Sequence, residues 1–298
     1  MKGLNIKLLR TIDFLTLAYV GILSILIAIF HEGLKHWGIY LLAHALYVVV
    51  VIILISWAAK SKNKAIHFFR DTYALISLFF FYEELEGLIH IIFTKSFDHL
   101  VNGLELAIFG VYPTVWLQNI ARPWLTEFFV YSYFSYYFMI IIPALALYIP
   151  GRKQEFHEFS INVMLAYYIS FIIFVLFPVE GPRFALAPLY TTPLKGYAFS
   201  QIHAYFMDMG AYRGGAMPSS HIAATVVSLV MMRRYEKRIY YPMFPLVIFM
   251  ILSTIYGRYH YVSDAVAGIL VGWLSLALIS QIRKKRPLSE EPLYSPIQ

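Results

Sequence analysis

Long apolar runs recur along almost the entire length of this 298-residue chain. Hydrophobic residues make up 60% of the sequence and charged residues only 14%, whereas about a quarter of the residues in a soluble domain are charged. A run of about 18 or more apolar residues can cross the hydrocarbon core of a bilayer as a helix. Since helices and closed barrels are the structures that satisfy their backbone hydrogen bonds in lipid, the sequence predicts an all-α, multi-pass membrane helix bundle.

Eight segments are candidates for membrane-spanning helices. They cover residues 13–30, 38–57, 69–92, 125–149, 160–178, 218–233, 240–257 and 260–281. The stretch 98–122 is too polar and too broken to span, so we expect it to lie along the membrane interface. We expect a single integral-membrane domain over 1–298, with two accessory spans in 1–60, a six-helix core in 61–285 and a tail in 286–298.

The charged loops predict the orientation of these spans. With eight spans, all the basic clusters fall on one side of the membrane: Lys2, Lys7, Arg10, Lys60, Lys62, Lys64, Arg152, Lys153, Arg233, Arg234, Lys237, Arg238, Arg283, Lys284, Lys285 and Arg286. The positive-inside rule makes that side cytoplasmic, together with both termini. The loops that carry Arg183, His221 and His260 then open on the opposite, non-cytoplasmic face. Topology therefore explains the net charge of +7, and we expect no nucleic-acid partner.

His260 and Asp264 stand four residues apart at the head of the last apolar segment. On a helix this spacing puts the two side chains on one face, one turn apart. A carboxylate there can hold one imidazole nitrogen and leave the other available as a base or a nucleophile. A structural hydrogen-bonded pair would have the same spacing, so the pair alone does not establish chemistry.

A second histidine, His221, opens another apolar segment within Pro218-Ser-Ser-His221. Proline suits the first turn of a helix, and the free N–H groups and positive dipole end there favour an anion. Ser219 and Ser220 add hydroxyl donors, and His221 could protonate a leaving alkoxide. A helix cap followed by an interfacial histidine would look the same in isolation.

Two arginines, Arg183 and Arg213, flank the loop before this segment. Guanidinium groups suit phosphate oxygens, although an interfacial arginine is more often a membrane anchor. The conjunction carries more weight than its parts, because all these residues fall on one side of the bilayer at the ends of neighbouring spans. Together they predict phosphate-ester chemistry at a bilayer surface.

Arg183, Pro218–His221 and the segment from Arg258 to Asp264 resemble the three motifs of the type-2 phosphatidate phosphatase superfamily. This superfamily includes lipid phosphate phosphatases, inositol phosphorylceramide synthases and the soluble vanadium haloperoxidases. The eight-span layout and the segment Phe109–Thr114 resemble, more loosely, the inositol phosphorylceramide synthase branch. The resemblance implies a phosphatase-like six-helix core and metal-independent catalysis, with no cofactor.

The resemblance also implies a role for each matching residue. His260 resembles the nucleophile that forms a phospho-histidine, and Asp264 resembles the carboxylate that orients it. His221 resembles the general acid for the leaving group. The phosphate-binding set would comprise Arg183, Ser219 and Arg258, with Ser220 and Arg213 as further candidates.

The chain departs from the family pattern in each of the three motifs, and in the first of them Phe184 replaces a proline. Leu176 stands where the first motif has a lysine, and Arg213 could supply the missing charge. Ser220 stands where the second motif has a glycine. Thr254 stands where the third motif has an arginine, and Arg258 could replace it from one turn further along if the helix is continuous. These departures and the span count favour the transferase branch slightly.

A second polar cluster, Glu83, Glu86 and His90, shares one helical face within the third candidate span. Acids within a span usually face the bundle interior, so we interpret these residues as possible headgroup contacts or partners for an arginine. A metal site is less favoured, because metal-binding bundles take such motifs from several helices. A transporter or ion-conducting protein that uses this cluster is the alternative, although no inverted repeat is evident.

The predicted function is therefore that of a membrane enzyme which cleaves or transfers a lipid phosphate ester through a phospho-histidine. Its partners would be a membrane lipid phosphate and either water or an alcohol as the acceptor. Water would make it a phosphatase and an alcohol a phosphotransferase, and the motifs do not distinguish the two. A catalytically inactive scaffold is a third possibility, against which the complete set of two histidines and one aspartate argues.

Overall fold

The computed structural model describes residues 8–203 and 213–292, and this part of the chain is almost wholly helical. Its α-helices are α1 (Thr11–Ile29), α2 (Trp37–Ala58), α3 (Lys64–Leu88), α4 (Asp98–Phe109), α5 (Pro113–Trp116), α6 (Pro123–Phe134), α7 (Tyr136–Tyr148), α8 (Lys153–Leu176), α9 (Pro182–Ala185), α10 (Ser220–Tyr235), α11 (Lys237–Tyr256) and α12 (Val262–Lys285). Within these residues the β-structure is one isolated parallel bridge between Val179 and Gly215. The predicted all-α membrane bundle is confirmed.

All eight predicted spans lie mainly in helices, and six helical segments are long and apolar enough to cross a membrane. One of the six is the pair α6–α7, which together covers Pro123–Tyr148. The predicted spans outside this set are α3, which is charged towards both of its ends, and α10, which has 16 residues. Both segments are helical as predicted. Charge excludes α3 from the set of six, and short length excludes α10.

Both α3 and α10 have contacts at two opposite ends of the bundle, one that carries His260 and one that carries Arg283. Helix α3 starts near Arg70, which pairs with Asp13 at the Arg283 end. The chain just after α3 reaches the His260 end, where Ile89 packs against Gly214. Helix α10 runs in the opposite direction, from the His260 end to the Arg283 end.

The segment 98–120 begins and finishes at the same end of the bundle. Its two halves, 98–109 and 113–120, are bent by 70° and would count as a seventh span only if taken as one unit. At its start Asp98 accepts the backbone N–H of Glu180 at 2.8 Å. Near its end Gln118 accepts the backbone N–H of Thr191 at 2.9 Å. Since Glu180 and Thr191 belong to one loop, these contacts favour the expected interfacial position over a membrane crossing.

Helices α10 and α12 approach each other closely through two glycines of α12. A Cβ atom on Gly268 would lie 2.6 Å from the carbonyl oxygen of Ser219, and one on Gly272 would lie 2.9 Å from that of Ala223. Small residues spaced by four let membrane helices bring their backbones together. The starts of α10 and α12 are therefore held next to each other.

A buried ionic network ties the N-terminal helices to the rest of the bundle at the Arg283 end. Arg70 donates to both oxygens of Asp13, at 2.7 and 2.5 Å, and Tyr73 donates to the same carboxylate at 2.7 Å. Asp71 accepts from Lys153 of α8 at 2.9 Å. These bonds join α1 and α3 to each other and to α8.

Candidate active site

His260 lies in the turn between α11 and α12 rather than on a helix. Helix α11 ends at Tyr256, and the carbonyl oxygen of Thr254 accepts the N–H groups of Tyr259 and His260 at 2.9 and 3.1 Å. Nδ1 of His260 stands 3.5 Å from Oδ2 of Asp264. The expected proximity of the two side chains is observed, but the expected single helical face is not, because α12 starts only at Val262.

Asp264 belongs to the first turn of α12 and caps it. Its Oδ2 accepts the backbone N–H of Tyr261 at 2.8 Å, and its own carbonyl oxygen accepts the N–H of Ser219 at 3.1 Å. The Asp264 side chain is fully buried. One residue thus fixes the turn that carries His260 and the first residues of the segment that carries His221.

His221 occupies the second position of α10 and faces His260. The centroids of the two imidazole rings are 6.0 Å apart, at an interplanar angle of 59°. The edge of Tyr136 packs against His221 at 4.5 Å, and Tyr133 lies 5.8 Å away. In the described part of the chain, Nδ1 of His221 makes no hydrogen bond. Two facing imidazoles at this separation can serve opposite sides of one phosphorus atom.

Burial lowers the pKa of His260 to about 4, although a hydrogen bond with the backbone of Ala216 opposes the shift. The imidazole is therefore neutral at physiological pH. A neutral imidazole retains the lone pair that nucleophilic attack requires.

Ser219 and Ser220 are both buried at the start of α10. Ser219 is the N-cap, and its hydroxyl oxygen accepts the N–H of Ile222 at 3.4 Å. Because that bond uses only a lone pair, the hydroxyl proton can still be donated to a phosphate oxygen.

Gly181 brings the Arg183 loop against the other two motifs. Its φ of 93° lies in the region that favours glycine. A Cβ atom there would lie 3.0 Å from the carbonyl oxygen of Tyr259 and 3.1 Å from Cβ of Ala216. Arg183 follows in the short helix α9 and lines a cavity of about 200 Å³. The three predicted motifs therefore converge at one end of the bundle.

Arg258 lines the same cavity, but a different backbone conformation from the expected one places it there. The proposed continuous helical face through positions 254 and 258 is wrong, because α11 ends at Tyr256 and Arg258 has a φ of 64°. Its Nη2 donates to the carbonyl oxygen of Thr192 at 2.6 Å, and its guanidinium lies 3.9 Å from the centroid of the Tyr190 ring. A left-handed turn and a loop therefore position this cation.

Arg213 is not brought to the cavity. Its side chain is 64% exposed and stands 3.9 Å from the carboxylate of Glu180. Its guanidinium lies 4.6 Å from the centroid of the Phe184 ring. The structure therefore provides no contact by which Arg213 would replace the missing lysine.

The cluster of Glu83, Glu86 and His90 is arranged differently from the prediction. Glu83 and Glu86 are exposed, and His90 lies beyond the end of α3 with Nδ1 3.1 Å from the carbonyl oxygen of Phe93. The acid of α3 that faces the interior is Glu84, which bonds to His44 at 2.9 Å. The expectation that Glu83 and Glu86 face the bundle interior is wrong, which removes support from an ion path through them.

Residues 8–203 and 213–292 contain no group of three or more His, Cys, Asp or Glu side chains that could hold a metal ion.

Two acidic residues of α4 support the site and were missed by the sequence prediction. Oδ1 of Asp98 accepts the N–H of Gly181 and the hydroxyl of Tyr261, both at 3.0 Å. Oε1 of Glu105 accepts the N–H of Ser263 at 2.8 Å. The sequence pattern that could have identified them is their spacing of seven residues, which places two acids on one face of an otherwise apolar helix.

His203 is a third histidine near the site, and it too was missed. It is 7% exposed and lines the cavity beside Arg183. Its ring lies 5.3 Å from that of Tyr133, and its Nδ1 is 3.4 Å from the hydroxyl of Tyr259. Burial and the charge of Arg183 lower the pKa of His203.

The helix segment before His203 is tied to α6 by one carboxylate. Glu127 accepts the backbone N–H groups of Tyr197, Phe199 and Ser200 at 2.7, 2.9 and 3.2 Å. The ring of Phe199 also stacks on Tyr131 at 4.2 Å. These contacts explain how His203, which lies in the helical residues 198–203, is held at the cavity.

A helical membrane bundle that holds two facing imidazoles, a buried carboxylate and two arginines at one end defines a phosphatase-type phosphoesterase. Comparison with known families agrees, since the model of the PAP2 superfamily matches residues 105–278. This is more than half of the 298-residue chain, and the chain belongs to that superfamily. The matched segment includes Arg183, His221, His260 and Asp264, whereas α1–α3 precede it. No curated protein and no solved structure matches the chain significantly.

Proposed function

We propose that the protein transfers or cleaves a lipid phosphate ester through a phospho-histidine on His260. The observation that carries the proposal is the placement of His221 and His260, with ring centroids 6.0 Å apart, next to a cavity lined by Arg183. In the first step His260 attacks phosphorus, a P–N bond forms and the P–O bond to the alcohol breaks. His221 gives its proton to the departing oxygen.

In the second step an acceptor hydroxyl attacks the phospho-histidine. The P–N bond breaks, its electron pair returns to His260, and His221 takes the acceptor's proton. Because both displacements are in line, the departing and the entering oxygen occupy the same position opposite His260. A single acid–base residue, His221, therefore suffices for both steps.

Asp264 would orient the nucleophile. Its Oδ2 stands 3.5 Å from Nδ1 of His260, and a hydrogen bond there would leave Nε2 to attack phosphorus. Arg183 and Arg258 would hold the phosphate oxygens, since guanidinium groups bind such oxygens in pairs.

The size and lining of the cavity next to the two histidines favour a phosphate diester, which keeps a headgroup on phosphorus, over a phosphate monoester. Its volume is about 200 Å³, whereas a water molecule takes up about 30 Å³. Arg183, His203 and Arg258 line it, and no carboxylate is among the described lining residues. Such a cavity suits a polar headgroup that stays on phosphorus while the lipid alcohol leaves, which a phosphate monoester would not require.

The activity can be tested on the purified full-length chain in lipid nanodiscs. We expect incubation with defined phospholipids and a lipid alcohol to yield a new phospholipid, detected by mass spectrometry. Release of inorganic phosphate alone would instead assign a phosphatase. His260→Ala should abolish either product, and His99→Ala provides a matched control because His99 is an exposed histidine at the same end of the bundle. Full turnover by the His260→Ala variant would overturn the proposal.

A further inference from the structure

A second, larger cavity lies at the Arg283 end of the bundle, away from the catalytic histidines. It has a volume of about 450 Å³ and is enclosed by α8, α10, α12 and the chain that follows α12. Met231, Leu276 and Ile279 provide apolar wall, whereas Asn162, Arg234 and Arg283 provide polar groups. Apolar walls with a few convergent polar groups are typical of a ligand site.

The guanidinium of Arg283 is bonded on one side only. Its Nη1 donates to Glu291 at 2.6 Å and to the hydroxyl of Thr11 at 3.2 Å. Its Nε and Nη2 are buried and have no hydrogen-bond partner among the described residues. These two nitrogens form the edge with which arginine binds two oxygens of one phosphate or carboxylate. A buried donor without a partner is costly, so this edge suits an anionic ligand.

Asn162 contributes a complementary group to the same cavity. It is 2% exposed, and its Nδ2 donates to the carbonyl oxygen of Glu158 at 2.8 Å. Within the described chain its Oδ1 accepts no hydrogen bond. The cavity therefore combines the unpartnered guanidinium edge of Arg283 with one acceptor, which suits an anion that also carries a hydrogen-bond donor.

The acidic residue in the cavity wall does not oppose an anion strongly. Glu158 accepts from Arg234 at 2.9 Å and from the hydroxyl of Tyr235 at 2.8 Å, which offsets its charge. The guanidinium of Arg234 is itself 64% exposed, and in this ion pair the two charges balance. Basic pockets between membrane helices are suited to lipid phosphate headgroups.

We propose that this cavity binds a phosphate ester that bears a hydroxyl or ammonium donor, with the phosphate on the Nε–Nη2 edge of Arg283 and the donor on Asn162. An anionic phospholipid and a soluble phosphate ester share this chemistry. The site is separate from the proposed reaction, because it lies at the opposite end of α10 and α12 from His221 and Asp264.

Binding to the purified full-length chain in a neutral detergent tests this inference without any measurement of turnover. The probes are inorganic phosphate, glycerol 3-phosphate, short-chain phosphatidylglycerol and short-chain phosphatidylcholine, and the readouts are the dissociation constant and the shift of the thermal midpoint. Ligands that bind the folded state raise its stability according to their affinity. We expect Arg283→Lys, which keeps the charge towards Glu291 but loses the two-nitrogen edge, to weaken phosphatidylglycerol binding about tenfold or more.

Two further variants keep the test decisive if Arg283→Lys fails to fold. Asn162→Leu removes the acceptor, and Met231→Trp fills the cavity, and both should weaken the same ligand. Arg233→Lys is the matched control, since Arg233 is exposed and is not among the residues that line the cavity. All of these variants keep the active site, so binding there is the same in each. Only the binding that a variant loses relative to the wild type reports on this cavity.

The probes also separate the two sources of ligand. A preference for phosphatidylglycerol over glycerol 3-phosphate would support a lipid ligand, and the reverse preference would support a soluble phosphate ester. Wild-type affinity for every probe in Arg283→Lys, Asn162→Leu and Met231→Trp would overturn the proposal.

Discussion

Oδ1 of Asp98 lies 3.0 Å from the hydroxyl of Tyr261, and this contact connects residues that are 163 positions apart in the sequence. The same carboxylate accepts the N–H groups of the loop that leads to Arg183. One side chain of α4 thus joins the predicted phosphate-binding loop to the turn that carries His260.

We expect Asp98→Asn to lower kcat by about 10- to 100-fold, because small misplacements of reacting groups have effects of this size. The amide keeps the volume of the carboxylate but presents an N–H group where Asp98 accepts hydrogen bonds. Steady-state kinetics on a detected substrate, with circular dichroism to verify folding, would measure the effect. His99→Asn is the control at the exposed neighbouring position. Unchanged kcat in a folded Asp98→Asn variant would contradict a positioning role.

His221→Asn should separate the two chemical steps. With a phosphate ester whose leaving group needs no proton, His260 would still be phosphorylated, whereas attack by the acceptor would slow by about 10²- to 10⁴-fold without the base. The expected result is an accumulated, acid-labile phosphate label on His260. A label that appears equally in His260→Ala would show that the phosphate is carried elsewhere.

The pH profile should reflect the low pKa of His260. Since the imidazole is neutral above about pH 4, kcat/KM should rise with pH through that value, rather than near 6.5 as for an ordinary histidine. It should fall again at the pH at which His221 loses the proton that the proposed mechanism gives to the leaving oxygen. Between pH 4 and about 6.5, His260 is neutral in the folded protein but largely protonated in the unfolded chain. Because the unfolded chain binds more protons in this range, His260 makes the free energy of unfolding increase with pH there. An acid limb between pH 6 and 7 would count against His260 as the nucleophile.

Asp13→Asn should destabilise the protein without acting on the site directly. Asp13 is fully buried and accepts from Arg70 and Tyr73, and removal of one partner from a buried ion pair costs about 3–5 kcal/mol. Chemical unfolding in detergent would measure the free energy of unfolding. The double variant Asp13→Asn with Arg70→Met should regain part of the loss, and Glu32→Gln is an exposed control. A loss below about 1 kcal/mol for Asp13→Asn would contradict the expected value for a buried pair.

The predicted orientation can be tested by labelling, because the chain contains no cysteine. Leu189→Cys places an exposed thiol at the His260 end, and Lys62→Cys places one in a predicted cytoplasmic loop. A membrane-impermeant maleimide added to intact cells should label the first variant only, and both after lysis. The opposite pattern would place the active site on the cytoplasmic face.

The sequence predicted the parts of the fold that depend on local composition. Apolar runs located the helical segments that are long enough to cross a membrane, because the bilayer imposes a minimum length. Short polar segments at helix ends located Arg183, His221 and His260. These features require no knowledge of which distant residues meet.

The sequence did not predict two kinds of feature. One is contact between residues that are distant in the chain, and the other is which of two neighbouring residues on a helix faces the interior. Asp98 and Tyr261 meet only in three dimensions, and nothing near either residue indicates the partner. Glu83 and Glu84 differ by one position, yet adjacent residues on a helix point about 100° apart. The exposed acid and the buried one could therefore not be distinguished until the packing partner, His44, was known.

The two glycines of α12 have a consequence for how this site can change over time. Gly268 lies four residues after Asp264 and sets how closely the two helix starts approach. The 6.0 Å between the two imidazole rings thus depends on close backbone packing within the bundle as well as on the turn that holds His260. Substitutions in the loops around the cavity would leave this helix packing in place, whereas a side chain at Gly268 would widen the interval between the two proposed catalytic histidines.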